Sequence, residues 1–173
     1  SIVAVALDLA DTVAEKDWAN RRALIFGTGA YAGATIAALR ERGCEDIWVN
    51  SRSGRAQQFA AKRDVHAVPQ GHSWQAMAEA DVIIGCSGGA APLPPSDIPP
   101  GRHTILDLAL SRDFDPAVAD LPEVELITLE SVRMAAPEET EEAVATAQRI
   151  VESEMQAFAA RQKTRNIDAA IVA

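Results

Sequence analysis

The sequence predicts an α/β domain built on a doubly wound parallel sheet, followed by a long C-terminal helix. Six short apolar runs alternate with helical segments at short spacing. This alternation favours parallel strands joined by βαβ crossovers. A glycine-rich turn follows the first apolar run, and ligands of such sheets bind at the carboxyl ends of the strands. The sequence therefore predicts both the architecture and the edge of the sheet where a ligand binds.

The composition is typical of a globular domain. The chain has 173 residues, 48% of them hydrophobic, and a formal net charge of −9, which disfavours a general nucleic-acid surface. No apolar run is long enough to cross a membrane, and the N-terminus does not resemble a signal peptide. Two cysteines are too few for a disulfide framework, so we expect a cytoplasmic protein. Both ends fall within apolar patterns, so we expect a domain excised from a longer protein, with an ordinary chain as the alternative.

Each element has its own signal. A helix is predicted over 2–14 from an apolar stripe at helical spacing, formed by Ile2, Val3, Ala6, Leu7, Ala10 and Val13. Buried strands are predicted from apolar runs at 23–26, 46–51, 65–69, 81–87, 103–109 and 124–129. Helices are predicted over 31–42, 54–63 and 73–80, the last with Ser73 as its N-cap. The proline-rich stretch 88–101 is predicted to be a loop, because proline is excluded from central strands.

The chain changes character near Pro137. Residues 137–173 are predicted to start with one long helix, because acidic residues cluster near its beginning and basic residues near its end, which matches the helix macrodipole. Its narrow apolar stripe is compatible with packing on the domain or with an oligomerisation arm. We divide the chain accordingly into a dinucleotide-binding domain, 1–136, and a helix leading to a truncated dimerisation region, 137–173.

The segment GTGAYA predicts a phosphate-binding turn. It consists of Gly27, Thr28, Gly29, Ala30, Tyr31 and Ala32. Gly27 permits a tight turn, Gly29 permits close approach of a pyrophosphate, and Ala32 permits close packing of helix on strand. Free N–H groups at the helix start then face the phosphates. The strand before the turn and the helix after it favour a Rossmann-type dinucleotide site over the alternative, a structural turn without ligand.

The residues after the second strand indicate which dinucleotide binds. An NAD site usually has an acidic residue here that binds the ribose 2′-hydroxyl, whereas this chain has the basic segment NSRSGR. Arg52 and Arg55 can bind a 2′-phosphate through charge-assisted hydrogen bonds, and Ser51 and Ser53 add hydroxyls. The sequence therefore predicts NADPH as the cofactor. The alternative is a solvated basic helix start.

Two further turns complete the candidate cofactor site. Cys86, Ser87 and Gly88 follow the fourth strand, where small residues leave room beside the ribose and the nicotinamide. Leu108 and Ala109, at the end of the fifth strand, are included in the same site.

The fifth strand contains a carboxylate, Asp107, within an apolar run. A buried carboxylate needs partners, and Arg112 is one candidate. One interpretation is a salt-bridged turn in which Asp115 and Pro116 begin a helix. The other interpretation, a direct role in substrate binding, stays open.

These segments, taken in order, resemble the NADPH-binding domain of the glutamyl-tRNA reductase family. The resemblance rests on SIVAVALDLA, GTGAYA, NSRSGRA, DVIIGCSG, DLALSRDFDPAV and the C-terminal helix, and covers nearly the whole chain. DLALSRDFDP is the most specific segment, close to the usual family form DLAVPRDIDP. The chain differs from the usual form at Ala32, Ser51 and Ser111, where the family has glycine, asparagine and proline.

The resemblance implies an NADP-dependent oxidoreductase of tetrapyrrole (porphyrin) biosynthesis, which reduces glutamyl-tRNA to glutamate-1-semialdehyde. In this family a cysteine of an N-terminal catalytic domain forms a thioester with the glutamyl group, and NADPH of the central domain delivers hydride. A long helix leads to a dimerisation domain, which implies a homodimer. This chain would supply the hydride-donor site, contain no catalytic residue of its own and be inactive alone.

The remaining reactive side chains favour structural roles. Cys86 lies near the expected nicotinamide, but the resemblance assigns the thioester cysteine to a domain outside this chain, and Cys44 is a still weaker candidate nucleophile. His66, His72 and His103 have no metal-ligand spacing with a cysteine, so no metal site is predicted.

Two other functions stay open at this point. A self-contained small NADP-dependent dehydrogenase would need an acid–base pair such as Tyr–Lys, and Tyr31, the sole tyrosine in the sequence, lies within the phosphate turn. A non-catalytic nucleotide-binding module would use the nucleotide for regulation, or for assembly through the C-terminal helix.

Overall fold

The computed structural model describes residues 1–88 and 91–136, and these contain a six-stranded parallel sheet. The strands are β1 (Arg22–Phe26), β2 (Asp46–Asn50), β3 (His66–Ala67), β4 (Val82–Gly85), β5 (His103–Asp107) and β6 (Val124–Thr128). Their order across the sheet is β3-β2-β1-β4-β5-β6, and every neighbouring pair is parallel. This is the strand order of Rossmann folds, which reverses between β1 and β4. The predicted doubly wound sheet is confirmed.

Helices and short 3₁₀ turns connect the strands. The α-helices are α1 (Ile2–Val13), α2 (Ala30–Glu41), α3 (Ala56–Ala61), α4 (Ser73–Glu79) and α5 (Leu129–Ala135). The 3₁₀ turns are Trp18–Asn20, Pro95–Asp97 and Pro116–Asp120. The proline-rich stretch is a loop, as predicted, and an isolated β-bridge joins its Leu93 to Phe114.

Alternate residues of the central strands pack into two apolar cores, one on each face of the sheet. Ile25 of β1 joins a core with α1 and α2, whereas its neighbour Leu24 joins a core that contains Met77 of α4. Side chains of a strand alternate between the two faces. Because both faces are covered, residues 23–26 of β1 and 82–84 of β4 are all apolar, which is why these strands appear in the sequence as continuous runs.

Several predicted boundaries differ from the structure. The third strand shrinks to His66–Ala67, since it lies at the sheet edge and pairs with β2 alone among the described strands. Helix α3 begins at Ala56 because a turn occupies the preceding residues. Val13, predicted to belong to the apolar stripe of α1, is 43% exposed. Helix α5 was not predicted.

Ser73 does not cap α4, contrary to the prediction. The N-cap residue is His72, whose side chain makes no capping hydrogen bond. The Ser73 hydroxyl instead accepts a hydrogen bond from Nδ2 of Asn50, at 2.9 Å, across 23 residues of sequence. A long-range partner therefore takes the hydroxyl that local sequence assigned to the helix terminus.

The predicted C-terminal helix and the second domain, 137–173, lie outside the described residues, as do residues 89 and 90. The described residues up to Ala135 form one compact unit. In the part of the chain that the structure describes, every helix is too short or too polar to span a bilayer.

Two leucines on and after β5 test the core assignment. Leu106 is fully buried, whereas Leu110 is 96% exposed. We expect Leu106→Ala to lower the free energy of unfolding by about 2–5 kcal/mol, because it leaves a cavity in a packed core. Leu110→Ala deletes the same atoms and should change it by less than about 0.5 kcal/mol. Urea denaturation followed by tryptophan fluorescence measures both, and equal losses would contradict the assignment.

Candidate cofactor site

The carboxyl ends of β1, β2 and β4 meet at a cleft of about 310 Å³. Most of the predicted site residues line it, namely Gly27, Thr28, Gly29, Ser51, Arg52, Ser53, Arg55, Cys86 and Ser87. Phe26 and Asn50 line it as well. Neither was predicted, although each is the last residue of a central strand, which is a signal that could have identified them.

The turn after β1 is tightly held between its two neighbouring strands. The N–H of Gly27 donates to the carbonyl of Asn50 at 2.9 Å. On the other side, a Cβ atom at Gly27 would lie 2.8 Å from the carbonyl oxygen of Cys86, and the residue has φ = +122°. Such a φ is unfavourable for any residue with a side chain, so both backbone conformation and space require glycine here.

The turn leads directly into α2, whose start is open to a ligand. Gly29 is the N-cap and makes no side-chain capping bond, and the first turn of the helix contains no acidic residue. A Cβ atom at Gly29 would meet nothing within 4 Å. The first N–H groups of a helix lack intrahelical partners and attract anions. The start of α2 is therefore accessible to an anion.

The other predicted residues of this segment lie beside the cleft. Ala32 is fully buried against the sheet, as the close-packing role predicted. Ala30 is the first residue of α2. Tyr31 is 37% exposed, and burial of its hydroxyl, with the nearby Cys86 thiol adding to the effect, raises its pKa.

The loop after β2 places two guanidinium groups and two hydroxyls on one side of the cleft. Arg52 Nη1 donates to the carbonyl of Ala91 at 3.0 Å, so its side chain reaches the loop that follows β4. Arg55 Nε donates to Ser53 Oγ at 2.8 Å, and Ser53 Oγ lies 2.9 Å from Ser51 Oγ. Both arginines line the cleft, and one of them, Arg55, is oriented by a hydroxyl.

A larger cavity of about 560 Å³ lies on the far side of the same loop. It shares Asn50, Ser51 and Arg52 with the cleft, and Gln57 and Gln70 also line it. Sequence analysis did not anticipate this cavity, whose walls come from the segments that follow β2 and β3.

Cys86 is not placed as a nucleophile. Its Sγ lies 3.6 Å from Thr35 Oγ1, and burial raises the pKa of the thiol to about 12. Cys44 is fully buried, and burial raises its pKa to about 11. A reactive cysteine needs a lowered pKa and exposure, so neither thiol has the environment of a catalytic one.

The turn after β4 is held from behind by a buried carboxylate. Asp113, which is fully buried, accepts hydrogen bonds from the N–H of Ser87 at 2.7 Å and from the N–H of Gly88 at 3.0 Å. The Ser87 hydroxyl donates to the same carboxylate. Ser87 is exposed and lines the cleft, whereas Gly88 does not line it. Sequence analysis did not assign this role to Asp113.

Asp107 has backbone partners, and the predicted pairing with Arg112 is wrong. Its carboxylate accepts hydrogen bonds from the N–H groups of Ala109, Asp113 and Phe114, at 3.1 to 3.3 Å. Burial raises its pKa, and these backbone hydrogen bonds oppose the rise. Arg112 instead adopts φ = +42° at the bend of the loop. A loop folded onto the carboxylate supplies its partners, so a salt bridge is not required.

Leu108 and Ala109, which were predicted to belong to the cofactor site, do not line the cleft. Leu108 is 3% exposed and packs into the core, and Ala109 is also buried. Asp115 accepts from the N–H of Ala117 at 2.8 Å and caps the 3₁₀ turn Pro116–Asp120, so the predicted helix start at Asp115 and Pro116 is a 3₁₀ turn.

The histidines hold structural positions. His66 stacks on Trp48 with ring centroids 4.8 Å apart, and His103 is buried with its ring nitrogens facing the carbonyls of Ala80 and Pro99. Within residues 1–88 and 91–136, no cluster of three or more histidine, cysteine or acidic side chains could hold a metal ion.

Comparison with known proteins identifies a family model and several relatives that match this chain. A family model described as shikimate/quinate 5-dehydrogenase matches residues 8–135. Glutamyl-tRNA reductase of Kocuria rhizophila is 62% identical over 173 residues, which cover 100% of this chain and 40% of that protein. The chain therefore spans about 40% of the length of these curated relatives.

Solved structures show the same fold. Glutamyl-tRNA reductase from Methanopyrus kandleri aligns with a TM-score of 0.69 at 23% identity, over 87% of this chain and 40% of that one. Shikimate 5-dehydrogenase from Thermus thermophilus, in complex with NADP(H) and shikimate, aligns with a TM-score of 0.54 at 25% identity, over 73% of this chain and 48% of that one.

The two glycines of the turn should respond differently to alanine. Gly27→Ala is expected to lower the free energy of unfolding by about 1–3 kcal/mol, because the methyl group collides with the Cys86 carbonyl. Gly29→Ala should cost less, about 0.5–1 kcal/mol, because the site is open and only the N-cap preference of glycine is lost. Urea denaturation compares them, and a loss in Gly29→Ala larger than that in Gly27→Ala would contradict the open helix start.

Both thiols should react slowly in the folded protein. Burial raises the pKa of Cys86 to about 12, so very little of it is thiolate at pH 8. We therefore expect iodoacetamide labelling, followed by mass spectrometry, to be slow until urea unfolds the chain. Rapid labelling of Cys86 in the native protein would instead indicate an activated thiol.

Proposed function

This chain belongs to the shikimate/quinate 5-dehydrogenase family, and from that premise we propose that it is the NADPH-binding domain of a glutamyl-tRNA reductase. The observation that carries the proposal is the 62% identity to the Kocuria rhizophila glutamyl-tRNA reductase along the whole chain. On this proposal the chain supplies the hydride-donor site. Binding of glutamyl-tRNA and thioester formation would belong to parts of the protein outside this chain.

The residues of the cleft fit a dinucleotide. Gly27 and Gly29 leave the turn free of side chains, and the start of α2 presents N–H groups without an acidic neighbour. These features support pyrophosphate binding at the helix start. The chemistry that NADPH supplies when bound is a hydride for reduction of a carbonyl carbon.

The basic loop supports the choice of NADPH over NADH. Arg52 and Arg55 would bind the 2′-phosphate, with Ser51 and Ser53 as additional donors. Arg52 now donates to a neutral carbonyl, that of Ala91. If a phosphate replaced this carbonyl, the acceptor would be charged instead of neutral. A guanidinium forms a stronger hydrogen bond with a charged acceptor.

The turn after β4 would lie beside the nicotinamide half. Strand order places β2, β1 and β4 side by side, so the loops follow the cofactor from its 2′-phosphate through its pyrophosphate to its nicotinamide. The neutral, buried thiol of Cys86 supports a role in packing rather than in acyl transfer. The remaining predicted residues, Ala30, Tyr31, Ala32, Gly88, Leu108 and Ala109, would support the site from behind.

The same proposal includes the location, the biosynthetic role and the oligomeric state of the protein. We propose a cytoplasmic enzyme of tetrapyrrole biosynthesis that forms a homodimer through 137–173. The test of the activity is the formation of glutamate-1-semialdehyde from glutamyl-tRNA and NADPH by the protein at the full length that its gene encodes. No product above a control without NADPH would overturn it.

The family match also favours a second candidate, a self-contained dehydrogenase. Such an enzyme needs an acid–base pair near the nicotinamide. The single tyrosine, Tyr31, lies at the start of α2 instead, and burial raises its pKa. Turnover of a small carbonyl substrate by the chain alone would favour this candidate, whereas very weak NADPH binding with stable dimerisation would favour an assembly module.

Replacing one arginine tests the cofactor preference. We expect Arg52→Ala to weaken NADPH binding by about 10- to 100-fold, because charge-assisted hydrogen bonds contribute about 1.5–3 kcal/mol. NADH binding should change by less than about threefold, because NADH lacks the 2′-phosphate. Isothermal titration calorimetry measures both.

Arg102→Ala is the matched control, because it removes the same charge from an exposed side chain that pairs with Glu15 just before β5. It should leave both affinities unchanged. Equal losses of NADPH and NADH binding in Arg52→Ala would contradict the assignment of the 2′-phosphate to this loop.

A further inference from the structure

Asp113 is a buried carboxylate, and its hydrogen-bond donors belong to the turn after β4, which lines the cleft. It is fully buried, and it accepts three hydrogen bonds from Ser87 and Gly88. The ion pairs formed by the described residues do not include Asp113. Burying a charge is costly unless hydrogen bonds compensate it. The N–H and hydroxyl donors of this turn therefore offset the cost of burying Asp113. The carboxylate, through the same hydrogen bonds, holds the turn in place.

The sheet is shaped to admit this carboxylate. A Cβ atom at Gly85, the last residue of β4, would lie 2.8 Å from Cβ of Asp113 and 3.0 Å from its Oδ2. Glycine at this position therefore makes room for Asp113 directly behind the turn. From the other side, the carboxylate of Asp107 accepts a hydrogen bond from the backbone N–H of Asp113. The carboxylate of Asp107 and the absence of a side chain at Gly85 thus fix the place of the Asp113 side chain.

The hydrogen bond that Ser87 donates to Asp113 determines whether its hydroxyl can donate to a ligand or only accept from one. A hydroxyl has one proton, and the proton of Ser87 is donated to Asp113. The oxygen that faces the cleft can then only accept. A partner for it must be a donor, and the nicotinamide riboside half of the cofactor has two kinds of donor, the ribose hydroxyls and the carboxamide N–H.

We infer that Asp113 is a positioning residue for the nicotinamide riboside half of the dinucleotide, acting through Ser87, whose hydroxyl it orients as an acceptor. The inference rests on the proposed cofactor site. The loop after β2, which carries the basic cluster, lies on the other side of β1 from this turn. Loss of the Asp113 charge should therefore affect one half of the cofactor and leave the other half bound.

The test compares three ligands by isothermal titration calorimetry, using the protein at the full length that its gene encodes. NADPH contains both halves, 2′-phospho-ADP-ribose lacks the nicotinamide, and 2′,5′-ADP lacks the whole riboside half. We expect Asp113→Asn to weaken NADPH binding by about tenfold or more, because an amide has one acceptor oxygen and no charge. Binding of 2′,5′-ADP should change by less than about twofold.

The intermediate ligand identifies the donor. If 2′-phospho-ADP-ribose loses affinity together with NADPH, Ser87 accepts from a ribose hydroxyl. If it binds normally, the carboxamide is the donor. Either result supports the inference. Equal weakening of all three ligands, or no change in any, overturns it. Failure of the wild-type protein to bind 2′,5′-ADP overturns the cofactor assignment itself, and the inference with it.

Two further variants separate positioning from folding. Asp115→Asn removes a carboxylate two residues away that caps the 3₁₀ turn, and it should leave all three affinities unchanged. Ser87→Ala tests the inference if Asp113→Asn does not fold, because Ser87 is exposed and its N–H remains bound to Asp113. It should show the same ligand pattern as Asp113→Asn, and unchanged NADPH affinity in this variant would overturn the role of the hydroxyl.

Discussion

The hydrogen bonds of two buried carboxylates hold the ligand-binding edge of this domain together. Asp107 ends β5 and binds the N–H groups of Asp113 and Phe114, which fixes the loop that follows. That loop places the Asp113 side chain behind the turn after β4. The position of Ser87 in the cleft therefore depends on a contact that begins one strand away. A charge buried without a cation is stable here because several donors converge on it.

The same edge depends on the absence of side chains at two crowded positions. Gly27 lies against the backbone of Cys86, and Gly85 lies against Asp113 and Phe114. A methyl group at either position would separate neighbouring loops that must touch for the cleft to form. The cleft is thus an outcome of close packing between neighbouring loops, with backbone contacts at Gly27 and side-chain contacts at Gly85.

Sequence patterns recovered the architecture because the central strands are covered on both faces. Residues 23–26 of β1 and 82–84 of β4 are unbroken apolar runs, and the turn after Phe26 has the spacing of a phosphate loop. Edge elements were less well predicted, since β3 and α5 are short and partly exposed, and weak local signals determine their limits. Most residues predicted for the cofactor site line one cleft, because parallel strands bring their carboxyl ends to a single edge.

The sequence by itself determined the fold class, the glycine-rich turn after β1 and the basic loop after β2, because each depends on residues that are adjacent or periodic along the chain. Tertiary structure alone decided the partners of the polar side chains. Ser73 binds Asn50, not the end of its own helix, and Asp107 binds backbone N–H groups, not Arg112. Such pairings join atoms that are distant in sequence, and burial selects whichever donor the packed loops bring within hydrogen-bonding distance.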